Sequence, residues 1–408
     1  MSLLARFGKD KSGNVALMFG LAIIPVLGLA GAAVDYGRAS SARTALSNAI
    51  DSAALMAARD AQKLSDADLR SRTEKWVRST LENNERATLE NVTVDINRTS
   101  RTVSISAKAN LPASMTKIIG EDTLEVASST QSTWGTNTIE LALVLDNTGS
   151  MASSGKMAAL KQASLDLLKV MQQASTETDQ IRVSIVPFAT EVRLDAKTYG
   201  DADWLRYGVK KRNSNQSASK SSWQGCVMDR DDPYDSSDAG IVPKDKSTLY
   251  PAVICEQSTL ARIQPLTSNW TALTNTINSM TPVGNTNVTI GAAWGLATLT
   301  PGTPLTEAAP ATTPRLTKYM ILLTDGDNTE NRFGDNQNGI DNRTKLACQS
   351  AKTAGVNVYT VRVIEGNRNL LRGCASKTDM YYEVNNASQL GPVFKNIANQ
   401  ISQVRLTT

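Results

Sequence analysis

Residues 139–151 read IELALVLDNTGSM. Five consecutive apolar residues, 141–145, run into Asp146, and Thr148 and Ser150 follow two and four places on. An unbroken apolar run of this length, ended by turn residues, is the pattern of a strand buried on both faces. Polar groups just past its C-terminal end sit where a doubly wound sheet places its ligands. The run therefore predicts a central strand with a site at its tip.

The chain around it keeps the same rhythm. Apolar strands at 181–189, 318–325 and 356–364 alternate with helices at about 155–174, 268–280, 288–299, 341–354 and 387–404. Strands of this kind separated by amphipathic helices predict a mostly parallel, Rossmann-like α/β sheet covered on both faces. The last helix shows the required stripe in Leu390, Val393, Phe394, Ile397, Ile401 and Val404. Residues 195–267 interrupt the alternation. They are rich in Ser, Asp, Lys and Gly, and predict an ordered insertion with a mobile loop near 212–222.

Two further loops fall at strand ends. GNTN (284–287) offers Thr286 before a helix, and TDGD (324–327) offers Asp325 directly after a strand. With Asp146, Thr148 and Ser150 this makes two carboxylates and three hydroxyls, an all-oxygen set suited to a hard cation such as Mg²⁺ or Mn²⁺. Each residue also has a plain structural reading. Thr148 and Ser150 are candidate caps for the helix near 155, although Ser153 and Ser154 lie closer, and Thr286 is a candidate N-cap for the 288–299 helix. Asp327 reads as turn chemistry.

Composition narrows the chemistry. The 408 residues contain no histidine, which excludes Ser-His-Asp and Cys-His catalysis and imidazole metal ligands. Lys and Arg (43) and Asp and Glu (39) are well mixed, for a net charge of +4, so there is no nucleic-acid footprint. Cys226, Cys255, Cys348 and Cys374 form no C-x-x-C pair, which argues against zinc.

The N-terminal end points to a compartment. Residues 15–34, VALMFGLAIIPVLGLAGAAV, are a stretch without a charge, and about 20 such residues cross a bilayer as a helix. Arg6, Lys9 and Lys11 precede it, favouring a cytoplasmic N-terminus and an exported remainder. No A-x-A site ends the run, so a retained anchor is expected over a cleaved signal. Export makes disulfides expected. Cys226–Cys255 with Cys348–Cys374 is the economical pairing among three, each closing a loop worth about 3 kcal/mol in the chain-entropy view.

The helical spacing continues past the span through Leu46, Ile50, Ala53, Ala54 and Ala57, so that 14–63 reads as one long helix. A second helix starts near Ser65. A hairpin around NRTSR (97–101), a short helical stretch near 113–119 and a strand at about 124–133 complete a small α+β module without a catalytic constellation. The expected organisation is a basic cytoplasmic tail (1–13), a transmembrane helix (14–36), a helix plus α+β module (37–136), and an α/β domain (137–408).

Two resemblances follow from these residues. The order D-x-T-x-S, then Thr in G-x-T-N, then Asp in LLTDG resembles the metal-ion-dependent adhesion site of von Willebrand factor type A domains, with Thr148 where Ser is usual. The resemblance implies a divalent metal, with Ser150, Thr148 and Thr286 giving hydroxyls, Asp146 and Asp325 acting partly through water, and a partner's acidic residue completing the sphere. The stretch from SGNVALMF to SAALMAAR (12–59) resembles TadE/TadG-like proteins of the Flp pilus system, as do LLRGCAS (370–376) and the C-terminal IANQISQVRL. Gly13 lacks the following Glu of processed pilins, which favours a permanent inner-membrane anchor. Together these imply a periplasmic pilus-assembly component that binds a protein partner and is not an enzyme. The alternative is a surface-exposed adhesin for host or matrix ligands. DNTGS also resembles the phosphorylated D-K-T-G-T segment of P-type ATPases. Asn147 in place of Lys, the single span and the lack of an intervening nucleotide domain argue against that reading.

Overall fold

A computed structural model describes residues 13–61, 63–82, 87–98, 100–134, 137–212 and 214–403. The basic tail with Arg6, Lys9 and Lys11, and Val404 of the terminal stripe, lie outside them. The chain forms two compact units, Met1–Gly135 and Thr136–Thr408.

The first unit is built on helix α1, Gly13–Asp60, whose 48 residues make it about 72 Å long. Its two halves differ. Between 18 and 34 the large apolar side chains, among them Phe19, Ile24, Leu27 and Leu29, are exposed. The helix is long and apolar enough to cross a membrane. From Leu46 onward the apolar stripe is buried, with Ile50, Ala53, Ala54 and Ala57 packing on α2 (Asp66–Glu82) and on a three-stranded antiparallel meander of β1 (Thr88–Asn97), β2 (Thr102–Pro112) and β3 (Thr123–Thr133). Small alanines let the strands approach the helix closely. At the junction of the two halves, Asp35 accepts hydrogen bonds from the backbone N–H groups of Ser114, Met115 and Thr116 and from the Thr116 hydroxyl. This carboxylate fixes the loop between β2 and β3 to the helix.

The second unit is a six-stranded sheet in the order β6–β5–β4–β7–β8–β9: Gln264–Thr267, Ile181–Phe188, Thr138–Asp146, Leu316–Thr324, Asn357–Val363 and Tyr381–Val384. Only the edge strand β6 is antiparallel. The alternation of side chains sorts the core into two layers. Leu141, Leu143 and Leu145 face α3 (Lys156–Ala174), α4 (Trp270–Ser279) and the terminal helix α8 (Leu390–Gln403). Ala142 and Val144 face α5 (Val288–Leu299), α6 (Gln337–Thr353) and α7 (Arg368–Cys374). This is the doubly wound, mostly parallel α/β fold that the strand pattern predicts.

Both disulfides of the economical pairing are present. Cys226–Cys255 clips the segment between β5 and β6, and Cys348–Cys374 joins α6 to the end of α7. Near the stretch 212–222, expected to be mobile, some of the described residues make fixed contacts. Lys210 bridges Ser217, Ala218 is buried, and Trp223 behind it donates its ring N–H to the Cys226 carbonyl (2.8 Å). The polar composition of this stretch gives no sign that Ala218 and the following Trp223 are buried.

Candidate metal centre

The parallel register brings the C-terminal ends of β4 and β7 side by side, since Leu323 lies opposite Leu145. Asp146, one residue past Leu145, and Asp325, two past Leu323, therefore come together, and both are fully buried. Each is held by short bonds from its own neighbourhood. Asp146 accepts from Thr148 N–H (2.8 Å) and the Thr148 hydroxyl (2.5 Å) through Oδ1, and from the Thr324 hydroxyl (2.6 Å) through Oδ2. Asp325 accepts from the Ser150 hydroxyl (2.5 Å) through Oδ1. Thr148 and Ser150 Oγ atoms are 3.0 Å apart.

The third loop is sewn to the first by its backbone. Val283 N–H donates to the Asn147 carbonyl (2.8 Å), Gly149 N–H donates to the Gly284 carbonyl (3.0 Å), and the Asn147 amide donates to the Thr281 carbonyl (2.6 Å). Gly284 takes a left-handed conformation (φ 73°), which only Gly adopts at no steric cost and which turns the chain toward Thr286. Thr286 is buried, and its backbone is locked on both sides to Thr329. Its hydroxyl is left available, because the N-cap of α5 is Asn287, whose side chain accepts from Ile290 N–H. A β-carbon placed on Gly326 would sit 3.6 Å from Ser150 Oγ and 3.7 Å from Thr286 Oγ1, so these two hydroxyls flank one opening. Ser150 and Asp327 are exposed there, while the carboxylates lie beneath.

All five residues predicted from sequence thus meet at one sheet end. The capping alternatives for Thr148 and Ser150 do not occur: α3 starts behind Gly155 without any side-chain cap, from Ser153 and Ser154 either.

Electrostatics make the site costly without a cation. Burial, and then the charge of Asp325 alongside, push the Asp146 carboxyl up to about 6, against the opposing bonds from Thr148 and Thr324. One cation is already present. Lys156, the first residue of α3, is buried and its Nζ lies 2.7 Å from Asp325 Oδ2.

Sequence reasoning missed several residues that build the cup. Asn147 registered only as a residue that is not Lys, yet it ties two loops. Asn328 caps Val288 N–H (2.7 Å) and donates to Asp341 (2.7 Å). Asp229 of the insertion accepts from the Asn287 amide through both oxygens (3.1 and 2.9 Å), bracing the residue next to Thr286. Asp231 gathers Arg206 and Arg332, and Asp235 receives Arg343 (2.5 Å), so that the insertion is fixed to the segment after Asp325 and to α6. The one signal available was Lys156 itself: a cation in the first turn opposes the helix dipole and so suggests another demand.

Comparison with known proteins gives two family matches. Residues 13–60 match the Flp pilus-assembly TadE/G-like family model, and residues 256–396 match that of the von Willebrand factor type A domain. The second match covers the loops of Thr286 and Asp325 and begins after the loop of Asp146. No curated protein matches the chain. Among solved structures, the pilus adhesin SpaC from Lactobacillus rhamnosus GG is similar at 14% identity and TM-score 0.40, over 79% of this chain and 35% of that one. Proximal thread matrix protein 1 from the mussel byssus, solved with a zinc-occupied metal-ion-dependent adhesion site motif, is similar at 14% identity and TM-score 0.36, over 65% of this chain and 46% of that one. The von Willebrand factor domain of the type V pili tip protein Mfa5 from Porphyromonas gingivalis is similar at 12% identity and TM-score 0.42, over 66% of this chain and 97% of that one. The chain spans less than half the length of the first two. It carries a TadE/G-like segment at its N-terminal end and a von Willebrand factor type A domain behind it.

Proposed function

We propose that this protein is a membrane-anchored, non-enzymatic component of Flp pilus assembly that grips an acidic residue of a protein partner through a divalent cation, Mg²⁺ or Mn²⁺. The observation that carries the reading is the convergence of Asp146, Thr148, Ser150, Thr286 and Asp325 beneath one opening. Their donor set is all oxygen and carries two negative charges, which fits a hard dication. These five residues would hold the ion, and the ion would supply a Lewis-acidic point for a carboxylate oxygen. The exposed apolar half of α1 would serve as the anchor in the inner membrane, with the second unit in the periplasm. A hydrolytic alternative is disfavoured: the Ser150 hydroxyl donates to Asp325, but that carboxylate is already paired with Lys156, and the chain has no histidine to serve as a general base.

The test is thermal unfolding of the full chain in detergent, with and without millimolar Mg²⁺ or Mn²⁺. Ligand present at about 100 times its dissociation constant stabilises the folded state by about 2.7 kcal/mol, which is a rise of roughly 5–10 °C for a unit of this size. Asp146→Ala is expected to abolish that rise. A wild-type chain whose melting temperature ignores both metals sinks the proposal. Crosslinking from cells with wild-type and Asp146→Ala chains then identifies the partner, and labelling of intact cells separates a periplasmic component from a surface adhesin.

A further inference from the structure

Lys156 is placed against three ordinary preferences. It is buried, where lysine rarely goes unless paired. It occupies the first turn of α3, at the positive end of the helix dipole. It also lies beside a cup that is proposed to hold a dication. Its Nζ, 2.7 Å from Asp325 Oδ2, answers the carboxylate oxygen that Ser150 does not use. Among the described residues Asp146 has no such counter-ion; its bonds come from neutral donors, Thr148, Thr324 and the Asp325 backbone N–H.

We infer that Lys156 is a fixed counter-cation that sets the charge of the loaded cup, weakening its hold on metal and strengthening its hold on a carboxylate ligand. The inference rests on the metal reading above. The count is simple. Two buried carboxylates and one ammonium leave the empty cup at −1. A dication brings it to +1, and a carboxylate from a partner brings it to zero. Without the ammonium the empty cup is −2, the loaded cup is neutral, and an arriving carboxylate makes it −1. Asp327 is exposed and Glu330 half-exposed at the rim, where solvent and salt screen them, so they alter this balance less than the buried ammonium does. Lys156 thus makes an acidic partner, rather than the ion alone, the species that completes the site. It acts as a positioning residue for charge, with no contact to the partner required.

Substitution of Lys156 is expected to move two affinities in opposite directions, which loss of structure would not do. The full chain in detergent is titrated with Mn²⁺, followed by electron paramagnetic resonance. Acetate is then titrated into the loaded protein and its displacement of metal-bound water is read from water-proton relaxation. For Lys156→Met we expect Mn²⁺ to bind on the order of tenfold more tightly, and acetate on the order of tenfold more weakly, as a unit charge a few ångströms away in a partly shielded interior would produce. Lys156→Arg keeps the charge and is expected to stay near wild type in both titrations. Melting curves of both variants confirm folding. Tighter Mn²⁺ binding without weaker acetate binding, or Mn²⁺ binding that is unchanged or weaker in a folded Lys156→Met chain, overturns the inference and leaves the metal site standing. A wild-type chain that binds no Mn²⁺ overturns both.

Discussion

At the scale of single residues, the insertion's Asp229 shows how the surroundings of the cup are held under electrostatic load. Burial pushes its carboxyl up to about 6, with the nearby Asp235 charge adding to the effect, against the bonds from Arg332 N–H and Asn287. A raised carboxyl means that the folded chain binds a proton the unfolded chain releases. Its stability contribution is therefore complete below about pH 4 and lost as pH rises through 6, for a total of at most about 3 kcal/mol. Asp229→Asn is neutral at every pH and keeps an oxygen for the Asn287 amide. We expect the variant to melt close to wild type at pH 4 and to gain on it steadily toward pH 7. A wild-type-minus-variant difference that is the same at both ends would show that Asp229 carries no such load. Residues of this kind were invisible in the sequence. Asp146, Thr148, Ser150, Thr286 and Asp325 were legible because they follow apolar strands or precede a helix at fixed offsets. Asp229 was not, because its role depends on which distant segment is packed against it, and Lys156 showed only that it is misplaced for the helix dipole, not which carboxylate it answers.

At the scale of elements, the strands and helices that bury a full face were legible and the short ones were not. Strand β4 is buried along nearly its whole length, and α8 presents a continuous stripe, so period and polarity identify both. Strand β9, four residues with only Val384 buried, and the four-residue β6 have too few inward positions to show a period. Helix α5 was legible for its apolar length, but how closely it sits was not. A β-carbon on Gly295 would fall 2.4 Å from a methyl of Val144, and one on Gly291 2.7 Å from the Phe188 ring. These two glycines, one turn apart, let α5 lie directly on β4 and β5, and α5 begins two residues after Thr286. Gly295→Ala removes a conformational freedom that helices do not need, yet it must displace Val144 or the helix itself. We expect a net loss of about 1–3 kcal/mol, the usual range for overpacking a tight interior, measured by thermal unfolding with metal absent. Unchanged or raised stability would mean that the helix has room to move off the sheet. Because a displaced α5 carries Thr286 with it, the same variant should also lose part of the Mg²⁺-dependent rise in melting temperature.

At the scale of the whole molecule, the chain joins an apolar helix to an α/β unit closed by two disulfides, and both features bear on the compartment. Cys348 and Cys374 are buried between α6 and α7, and Cys226 is buried in the segment beside the cup. With sequence separations of 29 and 26, each bond shortens the loops of the unfolded chain by enough to add about 3 kcal/mol in the entropic view. Such bonds persist in oxidising compartments and are rare in the cytosol. The proposed topology, with the second unit outside the inner membrane, therefore has a direct chemical consequence. Cells lysed in denaturant with an excess of alkylating agent should yield a chain carrying no alkyl group, and four groups should appear only when a reductant is added before alkylation. Mass measurement of the intact chain distinguishes the two states. Recovery of the chain with four alkylated cysteines and no reductant would place the second unit on the reducing side and overturn the exported arrangement. If the bonds are present, reduction of the purified chain in detergent should lower its melting temperature. Cys348→Ser with Cys374→Ser should reproduce part of that loss, because this pair closes the α6–α7 layer against β8, away from the cup.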